Sequence, residues 1–398
     1  MATQVSFRSS VHEYIEKWAT SAATTIGASQ VDISPTQNAV ITYGFMRRIK
    51  LRLRNNAAAS GTAAYNADYP QKLLSNLSVV DPNGAEVYGG ATWDSQMAYF
   101  AEKYGAYKAV NDGALSTLAS TSTTTPLWQW VIPFELAESS GLGSLPNFDA
   151  QSPYQIKAVL DQASNVYPST TSPTTGPSVL LDYILEAWTV PDQVNRQSGV
   201  QQTLFPPGIG PGVFGVNGIG CTVQHWTLSN PSVTASTAMA ARLIRKGNIM
   251  RGLVMIIRNS SNARVAISNM PNPITFQLDG APLWSNIDPA VLLENWFRRE
   301  VGQAGSTNVT SDTGVLPVMF NNPDAINIQG VDGTLGMQGY LGTNEASRIE
   351  FAGTWGSSAA NLQVLTNDVN GVSLEGSPYA FSYAQQIASP NQPSVRTG

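Results

Sequence analysis

The chain has 398 residues, of which 42% are hydrophobic and only 12% charged, and its net charge is −5. That length exceeds what one hydrophobic core fills and favours two domains. The slight acidity excludes a general nucleic-acid binder, which carries a basic domain or tail, and no direct sequence-specific nucleic-acid binding is expected.

Gly (34), Pro (24) and abundant Ser, Thr and Asn take the place of the missing charge. Such a mixture suits many short strands joined by turns. It also gives a surface that packs against neighbours without a large desolvation cost. The single cysteine, Cys221, excludes an internal disulfide framework, so a chain stable when reduced, as made in a cytoplasm, is expected. The opening MATQVSFRSSVHEY has no apolar core of a secretory signal. No apolar run approaches the roughly 18 residues that span a bilayer.

In chain order, residues 9–19 read as an amphipathic helix. Val11, Tyr14, Ile15 and Trp18 fall at i, i+3, i+4 and i+7, with Ser9 or Ser10 as cap and Glu13 in capping-box register. Residues 1–20 therefore form a predicted arm. Its apolar stripe needs a surface, which can be its own domain, a neighbouring subunit or a membrane interface. From residue 21 the texture turns to strands. Ala39–Asn56 alternates, with Ile49, Leu51 and Leu53 on one face and Arg48, Lys50, Arg52 and Arg54 on the other. A strand over Leu73–Val80 ends in the turn Asp81-Pro82-Asn83-Gly84. Thr92–Tyr104 reads as a helix with Trp93, Met97, Phe100 and Tyr104 on one face, stopped by Gly105. Strands follow at Trp128–Leu136, Tyr154–Leu160 and Leu180–Val190. Residues 21–195 form the first predicted domain, residues 196–220 a Gly/Pro-rich linker and residues 221–398 the second domain with its tail.

The second domain repeats the first. GFMRRIKLRLRNN at Gly44–Asn56 returns as NIMRGLVMIIRNS at Asn248–Ser260, so that Met46, Arg47, Arg54 and Asn55 recur as Met250, Arg251, Arg258 and Asn259 at one constant spacing. A strand at Ile274–Leu278 then ends in Asp279-Gly280-Ala281. Asp288-Pro289 opens a helix as cap and first residue, and Val301-Gly302 closes it. Val131-Ile132-Pro133-Phe134 is echoed by Val315-Leu316-Pro317-Val318, Tyr154–Ala158 by Arg348–Ala352, and Leu181–Trp188 by Tyr379–Gln386. Two domains of short strands with one inserted helix each are most simply antiparallel sandwiches. The jelly roll is the commonest eight-stranded form, so the expected class is all-β with two tandem eight-stranded jelly rolls.

Chemistry is scarce. His12 and His225 are the two histidines; His12 lacks the second histidine of a zinc helix, and no Gly-x-Ser-x-Gly elbow occurs. Gly210, Gly212 and Gly215 match GxGxxG but follow a Pro-rich linker and open no helix. Among 27 Asp and Glu a glycosidase pair stays open. No catalytic residue, metal or cofactor is expected. The face Arg48, Lys50, Arg52, Arg54 is read as pairing with acids across strands or between subunits, and more weakly as a phosphate contact. In the repeat, Lys50 and Arg52 become Val254 and Ile256, which suits a face buried by a neighbouring domain.

In layout the chain resembles the double-jelly-roll major coat proteins of tailless, internal-membrane bacteriophages of the tectivirus type, a lineage that includes the adenovirus hexon. The resemblance rests on Val11–Trp18, the long strand ending in Asn55-Asn56, and Val80-Asp81-Pro82-Asn83 before the helix with Trp93. Trp130-Val131-Ile132-Pro133 and Asp288-Pro289 leading to Trp296-Phe297-Arg298-Arg299 complete it. It implies a homotrimer forming a pseudo-hexagonal capsomer of an icosahedral virion over an internal membrane. Neighbouring capsomers and penton or minor capsid proteins would be its partners, the N-terminal helix would lie at the inner face, and Asn321–Asn344 would be an external tower. Two other readings remain open: a carbohydrate-binding or carbohydrate-cleaving β-sandwich protein, and a minor spike or vertex protein of the same virion.

Overall fold

A computed structural model describes residues 12–60, 64–90, 92–105, 126–135, 143–147, 150–170, 172–189, 224–243, 249–296, 312–320, 341–343 and 346–369. The strands of the first half are β1 (Glu13–Thr20), β2 (Thr24–Thr25), β3 (Val31–Asp32), β4 (Phe45–Ala57), β5 (Leu74–Val80) and β6 (Glu86–Tyr88). After helix α1 (Ser95–Gly105) come β7 (Pro126–Pro133), β8 (Leu145–Pro146), β9 (Gln155–Leu160), the short helix α2 (Ala163–Val166) and β10 (Ser178–Trp188). The second half has β11 (Gln224–Ser229), β12 (Ala238–Arg242), β13 (Ile249–Arg258), β14 (Ile274–Leu278) and β15 (Ala281–Ile287). Helix α3 (Pro289–Trp296), β16 (Val315–Met319), β17 (Leu341–Gly342), β18 (Ile349–Thr354) and β19 (Asn361–Val369) follow.

These strands form four antiparallel sheets. In the first half the order β1-β10-β4-β7, with β2 on β10 and β8 on β4, lies beside a second sheet, β3-β9-β5-β6. The second half repeats both: β11-β19-β13-β16, with β17 on β13, and β12-β18-β14-β15. First and last strands of each half pair, and the long strand β4 or β13 lies next to the last; this interleaving is the jelly roll. Alternation drives it. Ile49, Leu51 and Leu53 of β4 and Leu253, Met255 and Ile257 of β13 are wholly buried between sheets, while the neighbours in sequence face outward. Entry into β4 needs a glycine, because Gly44 has φ +51° and a Cβ there would stand 2.0 Å from the Trp188 carbonyl oxygen.

The register makes the duplication explicit. Met46 pairs with Leu145 and Met250 with Leu341. Arg47 is skipped between the pairs Met46↔Ala187 and Arg48↔Glu186, and Arg251 between Met250↔Asp368 and Gly252↔Asn367. The same bulge thus sits at the same residue of the repeated motif.

Three expectations are corrected. Residues 13–20 form a strand, not an amphipathic helix: β1 pairs with β10 from Glu13↔Trp188 to Thr20↔Asp182. Without β1, one edge of β10 would carry unpaired backbone groups, and the Tyr, Ile, Trp and Thr of EYIEKWAT favour a pleated surface over a helix. Val11 lies outside the described residues. Second, the last strand of the second half is Asn361–Val369, with Leu362 standing where Leu181 does, opposite Ile257 as Leu181 is opposite Leu53. Residues 379–386 lie outside the described residues. NLQVLTNDV hides this strand because its polar Thr366, Asn367 and Asp368 are buried. Third, the counterpart of Val131 is Pro317, not Val315, since Lys50 faces Val131 and Val254 faces Pro317. A slip of two preserves the facing of every side chain, so the pattern alone does not detect it. Of the predicted tower Asn321–Asn344, residues 341–342 form β17 on β13, while residues 321–340 and 344, like the end of the second helix beyond Trp296, lie outside the described residues.

Candidate functional site

The chain brings its two halves together along one seam. Helix α1 caps the edge strand β7, where the Glu102 carboxylate accepts the Val131 amide at 3.2 Å. Its other side meets the outward face of β13 and β19. Every α1 residue from Ser95 to Tyr104 is buried except Glu102, which keeps partial exposure. On the facing sheet Trp226, Val254, Ile256, Val315 and Leu365 are buried within the hydrophobic cluster of the first half, not that of their own. Each aliphatic side chain so covered contributes roughly 2 kcal/mol. The expectation that Val254 and Ile256 form a face covered by a neighbouring domain therefore has its structural basis, and the covering domain is the first half of the same chain.

Ion pairs ring this apolar seam. Arg258 donates to Asp68 Oδ2 at 2.5 Å, to Gln96 Oε1 at 2.6 Å and to Gln363 Oε1 at 2.6 Å. Arg264 reaches Asp68 from the other side at 2.5 Å. Lys103 Nζ and the Tyr104 hydroxyl both donate to Asp312 Oδ2, at 2.8 and 2.7 Å. Burial by itself would raise the Asp68 carboxyl; Arg258 and Arg264 outweigh it and hold it below the ordinary carboxylate range. The sequence carries a signal of this seam. Gln96 and Lys103, one i,i+7 pair of polar side chains on an otherwise apolar helix, mark a second buried face.

The equivalent outward face of the first half is built of charge. Arg48 and Lys50 both pair with Glu186. Arg54 grips Asp182 with two nitrogens at 2.6 and 2.8 Å, and the Thr20 hydroxyl donates to the same carboxylate at 2.8 Å. Lys17 stands 3.8 Å from it. Burial raises the Asp182 and Glu186 carboxyls, but their cationic partners prevail and both lie below their ordinary values. Arg52 ion-pairs with none of the described residues. The sequence-predicted basic face is thus one contiguous surface, with acids of β10 set among its cations.

The predicted apolar stripe, by contrast, is split. Tyr14 stacks on Tyr43 with ring centroids 3.7 Å apart, and the Trp18 indole donates to the Ala39 carbonyl at 3.3 Å, so both turn towards the core. Ile15 points outward and is 59% exposed. Its register partner Glu186 corresponds to Asn367, which faces Trp226, so Ile15 is the counterpart of the buried Trp226.

No protein-family model matches this chain, and no curated protein does. Solved structures do match. The crystal structure of the STIV MCP covers 94% of this chain and 99% of its own at 14% identity and a TM-score of 0.56. The atomic structure of Sulfolobus Turreted Icosahedral Virus gives the same identity and TM-score over 94% of this chain and 93% of that one. PBCV-1 VP54, fitted into a reconstruction of the virophage Sputnik, covers 92% and 96% at 10% identity, again with a TM-score of 0.56. The chain has the double-jelly-roll fold of these viral proteins.

Within this double jelly roll, a cavity of about 620 Å³ opens at the seam, lined by Asp68, Asp94 and Asp161 together with Tyr69, Lys72 and Asn66. Its three carboxylates are all engaged. Asp68 holds the two arginines. Asp94 caps α1, accepting the Gln96 and Met97 amides at 3.0 and 3.1 Å, and burial raises its carboxyl. Asp161 accepts from the Tyr69 hydroxyl at 2.6 Å, Gln30 at 3.0 Å and Asn165 at 2.9 Å. Among the described residues no group of three or more His, Cys, Asp or Glu is placed to hold a metal. No described helix is long and apolar enough to cross a membrane.

Proposed function

We propose that this chain is the major shell subunit of an icosahedral virion and acts as structure, not as a catalyst. Three copies close into a homotrimeric, pseudo-hexagonal capsomer. Capsomers tile with one another and with penton or minor capsid proteins into a capsid over an internal lipid membrane. The membrane rests on the resemblance to internal-membrane phages alone.

One observation carries the reading. The two jelly rolls of a chain meet head to tail, the helix side of the first against the sheet face of the second, while among the described residues Ile15 on the sheet face of the first and Val291 on the helix of the second stay exposed. A contact of that kind, repeated between chains, closes into a ring instead of ending in a dimer. Likeness over more than nine-tenths of the chain to viral capsid structures supports the same reading. The test is the mass of the purified protein by light scattering with its outline by negative-stain microscopy. A trimer with a six-lobed outline is expected. A monomer without one overturns the capsomer.

A further inference from the structure

The cavity of about 620 Å³ at the seam is walled by loops of both halves. Tyr69 and Lys72 come from the connection between β4 and β5, Asp94 from the entry to α1 and Asp161 from the end of β9. Ser261 and Asn262, between β13 and β14, close the wall from the second half. Its volume falls in the range of small-molecule sites, roughly 300–1,000 Å³.

One buried oxygen in this wall lacks a donor. Asp94 is only 9% exposed, and its Oδ1 accepts the two amides at the start of α1. Among the described residues its Oδ2 accepts no hydrogen bond, and the Lys72 ammonium stands off at 3.7 Å, too far to donate. Buried carboxylate oxygens are ordinarily satisfied. Burial raises this carboxyl, which suits a group short of donors. The side chains around it offer further hydrogen bonds. Those of Ser261 and Asn262 are exposed and bond to none of the described residues. Tyr69 is half-buried, and its ring is fixed by the hydroxyl's bond to Asp161 at 2.6 Å.

A group filling the gap between Asp94 and Lys72 has to donate to a carboxylate and accept from an ammonium at once. An alcohol hydroxyl does both, whereas a phosphate or carboxylate only accepts and an ammonium only donates. Charge points the same way. The lining carries three carboxylates and one cation, Lys72, so an anionic ligand is repelled. Further hydroxyls on a small ring would meet the serine and asparagine side chains, and the C–H face of that ring suits the Tyr69 ring. We infer that this cavity binds a neutral saccharide, one of whose hydroxyls bridges Asp94 Oδ2 and Lys72 Nζ. The site is complete within one chain, so it stands or falls independently of the capsomer.

Calorimetric titration of the full-length protein tests it, with glucose, galactose and mannose each set against its uronic acid. At least one neutral sugar should bind with a Kd on the order of 1 mM, and its uronate at least about ten-fold more weakly. Asp94→Asn keeps an oxygen for the two α1 amides and replaces the bridging acceptor by a donor. Lys72→Met keeps the aliphatic stem and removes the ammonium. Both should melt like the unaltered chain and bind that sugar about ten-fold more weakly. If Asp94→Asn melts early, Lys72→Met alone decides, since its side chain is 32% exposed. No heat from any neutral sugar up to about 50 mM would mean a cavity that holds only water, and overturns the site. So does a uronate that binds as tightly as its sugar, or a folded variant of either kind that binds as well as the unaltered chain.

Discussion

Arg47 and Arg251 occupy the same bulge of the same strand in the two jelly rolls. Each offers its carbonyl to the amide of the residue that follows the strand after the inserted helix, Phe134 at 2.9 Å and Phe320 at 3.0 Å. Both side chains are almost fully buried. Arg47 donates to Glu13 at 2.5 Å and Glu135 at 2.8 Å and lies 4.1 Å above the Trp188 ring. Arg47→Met would leave the Glu135 carboxylate, 7% exposed, without its guanidinium. A loss of about 3 kcal/mol of unfolding free energy, read from the denaturant midpoint, is expected, because a buried charge left alone is costly. Arg47→Lys should recover only part of it, as the two-pronged geometry is lost.

Exchanging counterparts across the duplication should have opposite consequences in the two jelly rolls. Ile256→Arg puts into the closed seam the residue that the first copy carries there as Arg52, and with no solvent to reach it should cost more than about 4 kcal/mol or abolish folding. Arg52→Ile, on the half-open face, should change monomer stability by less than about 0.5 kcal/mol. Thermal melts of the two purified variants decide this. Equal effects would mean that the two faces are not in different environments.

Truncation distinguishes a strand from a peripheral arm. Removing residues 1–11 leaves β1 whole and supplies the reference for the longer truncation. Removing residues 1–20 takes away the partner of β10 and the cover that Tyr14 and Trp18 give to Tyr43 and Tyr183. That protein should melt much lower or aggregate through the exposed strand edge. A shorter chain that melts like the full one would show that β1 contributes nothing to the fold.

Glu102 sets a pH dependence. Burial pushes its carboxyl up to about 8 despite the Val131 amide and the nearby Arg48 and Lys50. A folded value above the unfolded one means that the folded state holds the proton longer. Stability from this group is therefore full below about pH 4.5 and falls as pH rises towards about 8, by at most about 1.4 kcal/mol per unit. Glu102→Gln keeps an acceptor for the Val131 amide and removes the titration. Denaturation at about pH 5 and about pH 8 should show the variant equal to the parent at the first and more stable at the second.

What the sequence revealed and what it concealed divide along physical lines. The strand at Phe45–Ala57 and helix α1 were legible because their apolar positions follow one period against a polar background. The repeated MR…RN frame was legible because it marks a bulge and a strand end rather than a surface. The segment at Glu13–Thr20 was misread for the opposite reason. In eight residues an aromatic stripe satisfies both periods, and what decides between them is the unpaired edge of β10, far along the chain. The last strand was missed because its core contains Thr366, Asn367 and Asp368, whose burial depends on partners such as Gln224, which accepts from Asn367 at 3.0 Å. The basic face was found as a cluster, but its acids, Asp182 and Glu186, lie on a strand that only the fold brings alongside.

The seam between Val254, Ile256 and helix α1 has an arithmetical consequence. Because it joins two units on one chain, units always arrive in pairs, at an effective concentration that no free competitor matches. Any ring built from whole chains with every seam filled holds an even number of units. Six is within its reach and five is not. In a ring of five units, whole copies of this chain would leave one seam unfilled.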